Sequence, residues 1–246
     1  MNYPNIVKAS FIVRDNRFVA RCRLHTGEEV IVHVKNTGRG KEVLIEGVPV
    51  VLQYWDNPKR KTKYDLIAVK KSTQWINIDS QIPNRLAYEG MLDGQIQLPG
   101  LKGEIVLLRR EVVYGQSKFD FYLETDQGET GFVEVKGMTL ENHRVGAFPD
   151  APTLRGLKHV NELIHAKKAG YYAAVLFLIQ FEGVDVATIH RKMQPALAEA
   201  IAQAQLANVS VFAYNCQVDE GKISLLSPIP FDLAAPFIDP NDPTIE

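Results

Sequence analysis

Two neighbouring stretches decide the fold of this chain, Phe119-Asp120-Phe121-Tyr122-Leu123 and Phe132-Val133-Glu134-Val135-Lys136-Gly137. Both alternate apolar and polar residues, which is the two-residue period of a β-strand with one buried face. The turn residues Asp126-Gln127-Gly128 lie between them and predict a hairpin. The expected register places Asp120 opposite residues 135–136, so two carboxylates and one ammonium group gather at one end of a sheet.

This grouping is typical of metal-dependent nucleases. Asp120 and Glu134 offer the hard oxygen ligands that Mg²⁺ or Mn²⁺ takes, and such a metal lowers the pKa of bound water. Lys136 is placed to orient that water and to stabilise developing negative charge. Glu111, on the preceding predicted strand, is a candidate third carboxylate ligand. The alternative interpretation of Glu134 and Lys136 is a surface ion pair worth about 0–1 kcal/mol.

The sequence after the hairpin predicts a loop over 142–152 and a helix over 153–169, with Thr153 as N-cap. Arg155 and Lys158 lie on the polar face of this helix and are candidate contacts to nucleic-acid phosphates, although such faces are more often only solvated. His159 is assigned to the same polar face, and a lone histidine does not indicate a metal ligand. The opposite, buried stripe is expected to contain Leu154, Leu157, Val160, Leu163 and Ile164.

The remaining pattern of residues 83–246 is that of a mixed α/β (α+β) domain. Asn84 is expected to cap a helix over 85–92, and Pro195 to begin a helix over 195–207. The acidic tail, 232–246, is expected to be extended and to face solvent. Strands are predicted over residues 104–114, 119–125, 130–136, 171–180, 210–216 and 222–226.

Residues 1–82 contain short β-branched runs separated by turn residues, without a good helical pattern. They predict a small barrel or sandwich, and a five-stranded OB-like β-barrel fits the number of strands. The predicted strands cover residues 6–13, 17–24, 29–34, 48–54 and 64–71.

Basic residues between the last two of these strands suggest contact with DNA. Lys59, Arg60, Lys61 and Lys63 lie between Trp55 and Tyr64, and basic groups with nearby aromatic rings suit a strand of nucleic acid. Arg39, in the glycine-containing loop 36–40, is a further candidate. The alternative is a solubilising loop beside core aromatic residues.

Composition supports a division of charge between the two parts of the chain. The 246 residues carry a net charge of -1, but residues 1–84 hold 14 basic and 8 acidic residues, whereas residues 85–246 hold 14 and 21. A hydrophobic share of 46% predicts a globular protein, and no apolar run approaches the roughly 18 residues of a membrane span. The N-terminal residues do not resemble a secretory signal. Cys22 and Cys216 form no CxxC pair, which argues against a disulfide framework and a cysteine zinc site and favours the cytoplasm.

Several short sequence motifs, spread over most of the chain, resemble those of a known protein family. They are Asn36-Thr37-Gly38, Pro83-Asn84-Arg85, Glu111–Phe121, Val133-Glu134-Val135-Lys136 and Phe148–His159. Together they resemble the sugar fermentation stimulation protein A family. The resemblance implies an OB-fold domain followed by a PD-(D/E)xK nuclease-like domain, with the motif positions on Asp120, Glu134 and Lys136. It also implies DNA binding and a link to the regulation of maltose metabolism.

Three hypotheses follow for the function. The first is a DNA-binding protein with a metal-dependent phosphodiester-hydrolysing site, and the second is a non-catalytic DNA-binding regulator that keeps only the nuclease fold. The third, a sugar- or nucleotide-linked enzyme, is favoured by no feature of the sequence. The expected partner is single- or double-stranded DNA and not a membrane, and formation of a homo-oligomer is left open.

Overall fold

The computed structural model describes residues 1–36 and 38–242. The first part of the chain forms a five-stranded barrel. Two of its strands alternate between a buried inner face and an exposed outer face, and two others are buried along most of their length. Its strands and the short strand that follows are β1 (Ile6–Asn16), β2 (Val19–Leu24), β3 (Glu29–Val34), β4 (Pro49–Tyr54), β5 (Tyr64–Lys71) and β6 (Gln74–Asn77).

The barrel closes through one parallel pairing. The antiparallel order β3-β2-β1-β4-β5 is joined end to end by β3 and β5, with Val32 opposite Tyr64 and Val34 opposite Leu66. This closure removes the free edges that a sandwich would leave. The predicted OB-type barrel is therefore confirmed.

The second part of the chain is a mixed α/β domain, as predicted. Its elements are α1 (Ile82–Leu92), β7 (Ile105–Tyr114), β8 (Ser117–Thr125), β9 (Thr130–Met138), β10 (Leu140–Asn142), β11 (Val145–Phe148), α2 (Leu154–Lys168), β12 (Tyr172–Ile179), β13 (Val186–Ile189), α3 (Pro195–Leu206), β14 (Ser210–Asp219) and β15 (Lys222–Ile229). The main sheet has the order β15-β14-β12-β9-β8-β7, in which β9, β12 and β14 are parallel. The other strands of this domain form a small sheet of the order β10-β11-β13.

Helices cover both faces of the main sheet. Helices α2 and α3 bury residues such as Leu163 and Ile201 on one face, and α1 buries Leu86 and Met91 on the other. β12 is buried along its whole length, which explains why its sequence is one continuous apolar run. The apolar packing of both faces continues into barrel residues, so the two parts of the chain are packed together. Our boundary between residues 82 and 83 stays a prediction.

Two expectations about the bounds of elements are corrected. Helix α1 begins at Ile82, not at residue 85, because Pro83 is compatible with a first helical turn and Gln81 occupies the N-cap position. The stretch 142–152 is not wholly a loop, since Val145–Phe148 pairs in parallel with Val186–Ile189, a strand that local patterns did not reveal.

The tail does not simply face solvent. Within the tail, the ring of Phe237 meets that of His190 edge to face with centroids 5.0 Å apart. Directly before the tail, Phe231 stacks on Phe177 with ring centroids 5.1 Å apart. These contacts hold the tail against the second domain, and its residues 243–246 lie outside the described part of the chain.

Two further observations concern the cysteines and the helices. Cys22 and Cys216 are free and buried. No helix within residues 1–36 and 38–242 has the length and apolar character needed to cross a membrane.

Candidate active site

Glu134 and Lys136 lie on β9, in the centre of the main sheet. The Glu134 side chain is 2% exposed and the Lys136 side chain 15%, and the Lys136 ammonium donates to Glu134 Oε1. The pair is therefore buried, and the alternative of a solvated surface ion pair is wrong. Removing two charges from water costs several kcal/mol per ion, and additional hydrogen bonds are needed to offset that cost.

Asp120 reaches this pair from β8, in a register that differs from the prediction. Phe121 lies opposite Val133, so Asp120 lies level with Glu134 instead of with residues 135–136. The paired ladder ends at Phe121, and the Asp120 Oδ2 atom accepts the backbone N–H of Val135 at 2.8 Å. The carboxylate thus replaces a backbone partner and is fixed against β9.

Helix α1 supplies a second contact to Asp120. Asn84 Nδ2 donates to Asp120 Oδ1 at 2.7 Å, so Asn84 holds the carboxylate and does not cap the helix as predicted. The helix comes this close because position 137 is glycine. A Cβ atom on Gly137 would lie 2.7 Å from Pro83 Cγ and 2.5 Å from Gln180 Oε1.

Helix α2 supplies a contact to Glu134 that the sequence assigned wrongly. His159 is 4% exposed, and its Nδ1 atom is hydrogen-bonded to Glu134 Oε1. Leu154, expected in the buried stripe, is 81% exposed instead. The predicted helix exists and Thr153 caps it, accepting from Gly156 N at 3.0 Å, but its buried face is rotated toward His159.

The charges in this cluster shift its ionisation. Burial and the neighbouring charge of Glu134 raise the pKa of Asp120 above its ordinary value. Burial also acts to raise the pKa of Glu134, but Lys136 and His159 outweigh it and hold that pKa below its ordinary value. The two carboxylates therefore repel each other, and burial makes it costly for both to be negatively charged at once.

One oxygen of this cluster lacks a partner. Glu134 Oε2 is buried and accepts no hydrogen bond from the described residues. A buried acceptor without a donor costs about 1–3 kcal/mol, so such an atom calls for an explanation. A divalent cation would satisfy it, and the donor set of two carboxylates fits Mg²⁺, which usually keeps several waters. No three His, Cys, Asp or Glu side chains converge as a metal-holding group in residues 1–36 and 38–242.

Glu111 is not brought into the cluster. Its side chain is 68% exposed and forms an ion pair with Lys118 at 2.6 Å, which lowers the Glu111 pKa. The backbone of Glu111 nevertheless has φ 56°, an uncommon conformation for a residue other than glycine. The Glu111 side chain thus belongs to an exposed ion pair with Lys118, apart from the cluster of Asp120, Glu134 and Lys136.

The predicted basic residues are distributed over several surfaces. Lys59, Lys61 and Lys63 are exposed in the loop between β4 and β5. Arg60 is different, because it forms an ion pair with the buried carboxylate of Asp65 and lies 5.0 Å from the centre of the Trp55 ring. The Arg60 guanidinium group is therefore already engaged by residues of the barrel.

The remaining candidates lie nearer to the second domain. Arg155 is exposed on α2, and its Nε atom lies 3.4 Å from His159 Nε2. Lys158 is exposed and donates to the Gln116 carbonyl at 2.7 Å. Arg39 is exposed in the loop that follows β3, of which Thr37 lies outside the described residues.

Two family models match consecutive parts of the chain. The SfsA N-terminal OB domain matches residues 12–78, and the sugar fermentation stimulation protein RE domain matches residues 81–222. These are the barrel and most of the α/β domain described above.

Relatives and a solved structure match over nearly the whole chain. A sugar fermentation stimulation protein homolog of Enterococcus mundtii is 59% identical and covers 98% of this chain and 100% of its own. A homolog of Clostridium acetobutylicum is 46% identical, covering 92% and 96%. The structure of Pyrococcus furiosus SfsA in complex with Ca²⁺ superimposes with a TM-score of 0.84 at 26% identity, covering 95% and 98%.

Proposed function

The chain belongs to the sugar fermentation stimulation protein family, and we propose that it binds DNA and hydrolyses phosphodiester bonds with a divalent metal held in its α/β domain. The observation that carries this proposal is the buried Glu134, whose Oε2 atom lacks a donor while Asp120 and Lys136 adjoin it. The related Ca²⁺-bound structure supports a divalent cation in this family.

Asp120 and Glu134 are the residues that we assign to hold Mg²⁺ or Mn²⁺. The cation would neutralise phosphate charge and lower the pKa of a bound water. Asn84 orients the Asp120 carboxylate, and His159 orients that of Glu134, as carboxylates in metal sites are commonly held by hydrogen bonds from their surroundings.

Lys136 supplies a positive charge to this site in addition to that of a bound metal ion. Its ammonium group is already fixed against Glu134, so it needs little reorganisation to stabilise charge that develops on a phosphate oxygen. We therefore assign catalytic roles to Asp120, Glu134 and Lys136.

We assign the DNA contacts to exposed basic groups in both parts of the chain. These groups carry exposed positive charges that suit phosphates, and they are Lys59, Lys61 and Lys63 of the barrel loop, Arg39, and Arg155 and Lys158 on α2. Arg60 contributes through the shape of the loop, because its guanidinium group is tied to Asp65.

A cleavage assay tests the proposal. Purified protein is incubated with single- and double-stranded oligonucleotides in EDTA, Mg²⁺ or Mn²⁺, and we expect products only with the metal. Glu134→Gln should abolish them, while the matched control Asp185→Asn, an exposed carboxylate paired with Arg144, should cleave normally. DNA binding without cleavage under every metal would favour the non-catalytic regulator, and cleavage by Glu134→Gln at the wild-type rate would refute the site.

A further inference from the structure

A cleft between the barrel and the α/β domain gathers basic groups that the predicted DNA contacts mostly omit. Its volume is about 470 Å³, and its wall includes Arg17, Arg39 and Lys41 from the barrel and Ala151 and Pro152 from the other domain. The three basic side chains are exposed. Within the described residues, none of them forms an ion pair with an acid.

Arg14 fixes the backbone of the two segments that bear these groups, the turn between β1 and β2 and the loop after β3. The Arg14 guanidinium donates to four backbone carbonyls at 2.6–2.8 Å, which belong to Arg17, Asn36, Gly38 and Arg39. Two of these carbonyls belong to the residues whose side chains face the cleft. Arg14 therefore holds the backbone of Arg17 and Arg39 in place while their side chains stay available.

The loop after β3, which bears Arg39 and Lys41, is also bonded to the α/β domain. Gly40 N donates to Asp150 Oδ2 at 2.8 Å, and a Cβ atom on Gly38 would lie 2.7 Å from the same oxygen. A side chain at position 38 would therefore displace the Asp150 carboxylate. The hydrogen bond fixes the distance between this loop and the α/β domain.

The cleft adjoins a second cavity of about 270 Å³, with which it shares Arg17, Gly38, Ala151 and Pro152. The lining of that second cavity includes Gly137, which directly follows Lys136 on β9. The two cavities together therefore extend from the basic groups to the end of the strand that carries Glu134 and Lys136.

The barrel loop between β4 and β5 is less suited to this task. Arg60 is neutralised by Asp65, and Lys61 and Lys63 line a depression together with Glu28 and Glu29. Acids near the lysines weaken the potential that a phosphate would experience.

We infer that Arg17, Arg39 and Lys41 form the principal phosphate-binding surface, which guides a nucleic-acid strand from the interdomain cleft to Asp120, Glu134 and Lys136. The inference rests on the proposed function and adds a path for the substrate. Three phosphate contacts contribute about 2 to 3 to the slope of log K against log salt. Their loss weakens binding by about 100-fold at 0.15 M salt.

The test compares two triple variants with the same loss of charge. Binding of a fluorescent oligonucleotide is measured by anisotropy in Ca²⁺ over a range of salt concentrations for wild type, Arg17→Ala/Arg39→Ala/Lys41→Ala and Lys59→Ala/Lys61→Ala/Lys63→Ala. We expect the cleft variant to lose about 100-fold in affinity and 2 to 3 in slope, and the loop variant to lose clearly less. Circular dichroism and urea unfolding verify that both variants are folded.

The failures of the two proposals are distinguishable. Wild-type affinity in the cleft variant, or equal losses in both variants, would overturn the inference and leave the proposed function intact. Failure of the wild-type protein to bind any oligonucleotide would instead overturn the proposed function and the inference with it.

Discussion

Two buried carboxylates, Asp65 in the barrel and Glu134 in the α/β domain, have similar neighbours but differ in how fully they are bonded. Asp65 is 0% exposed, and both of its oxygens have donors. Its Oδ1 atom contacts Arg60 and lies 3.3 Å from His33 Nδ1. Its Oδ2 atom accepts from Trp55 Nε1 at 2.9 Å and pairs with Lys35 at 3.3 Å.

Glu134 also has a lysine and a histidine, but both contact the same oxygen. Lys136 and His159 bond Oε1, while Oε2 has no donor and the like charge of Asp120 is nearby. A fully bonded buried charge serves the fold, whereas an incompletely bonded one carries a cost that a ligand can relieve. From this comparison we propose a structural role for Asp65 and a functional role for Glu134.

Removing the structural carboxylate should have the largest effect. Asp65→Ala leaves Arg60, Lys35 and the Trp55 N–H without their shared acceptor, so we expect the free energy of unfolding to fall by about 3–5 kcal/mol. Urea unfolding followed by tryptophan fluorescence measures this loss. The matched control Asp15→Ala, an exposed partner of Arg21, should unfold like wild type. A loss as small as that of the control would show that Asp65 is not structural.

Removing the lysine of the functional cluster should affect chemistry more than folding. Lys136→Met should lower the rate of metal-dependent cleavage by about 10²- to 10³-fold, because a preorganised positive charge is lost. Lys35→Met, the corresponding change beside Asp65, should lower the free energy of unfolding and leave the cleavage rate of the folded protein near wild type. The comparison would be contradicted if Lys136→Met lowered only the free energy of unfolding and Lys35→Met lowered the cleavage rate of the folded protein.

Changing the residue that holds Asp120 should have an intermediate effect. Asn84→Ala removes the donor to Asp120 Oδ1, and we expect Mn²⁺ affinity to fall by about 10- to 100-fold. Isothermal titration calorimetry measures this affinity, with Asn161→Ala on the exposed face of α2 as control. An unchanged affinity would mean that Asn84 does not position the ligand.

The smallest effect is expected at Glu111. Its carboxylate is exposed and paired with Lys118, so Glu111→Ala should bind Mn²⁺ and cleave DNA as wild type does. This outcome would remove Glu111 from the predicted ligands. A clear loss of Mn²⁺ affinity would restore it, and would mean that its side chain turns toward Asp120 when the metal binds.

The sequence predicted those parts of the fold that depend on local patterns. The alternation of Val133, Glu134, Val135 and Lys136 identified β9 and the pair of side chains on one face. Thr153 was identified as an N-cap because a single side chain and its own helix determine that contact.

The parts that failed depend on contacts between distant segments. The pairing of Val145–Phe148 with Val186–Ile189 joins segments about forty residues apart, and no local period encodes it. His159 was placed on the polar face because helical spacing cannot show which neighbours accept a polar side chain. Asn84 was interpreted as a cap for the same reason, since its partner Asp120 is 36 positions away.

The most direct test of the account is a titration with Mn²⁺ in the absence of DNA, comparing wild type with Glu134→Gln and Asp65→Asn by calorimetry. The account predicts that wild type binds Mn²⁺, that Glu134→Gln loses this binding while remaining folded, and that any folded fraction of Asp65→Asn binds as wild type does. Equal Mn²⁺ binding by wild type and Glu134→Gln would contradict the claim that the free oxygen of Glu134 is kept for a metal ion.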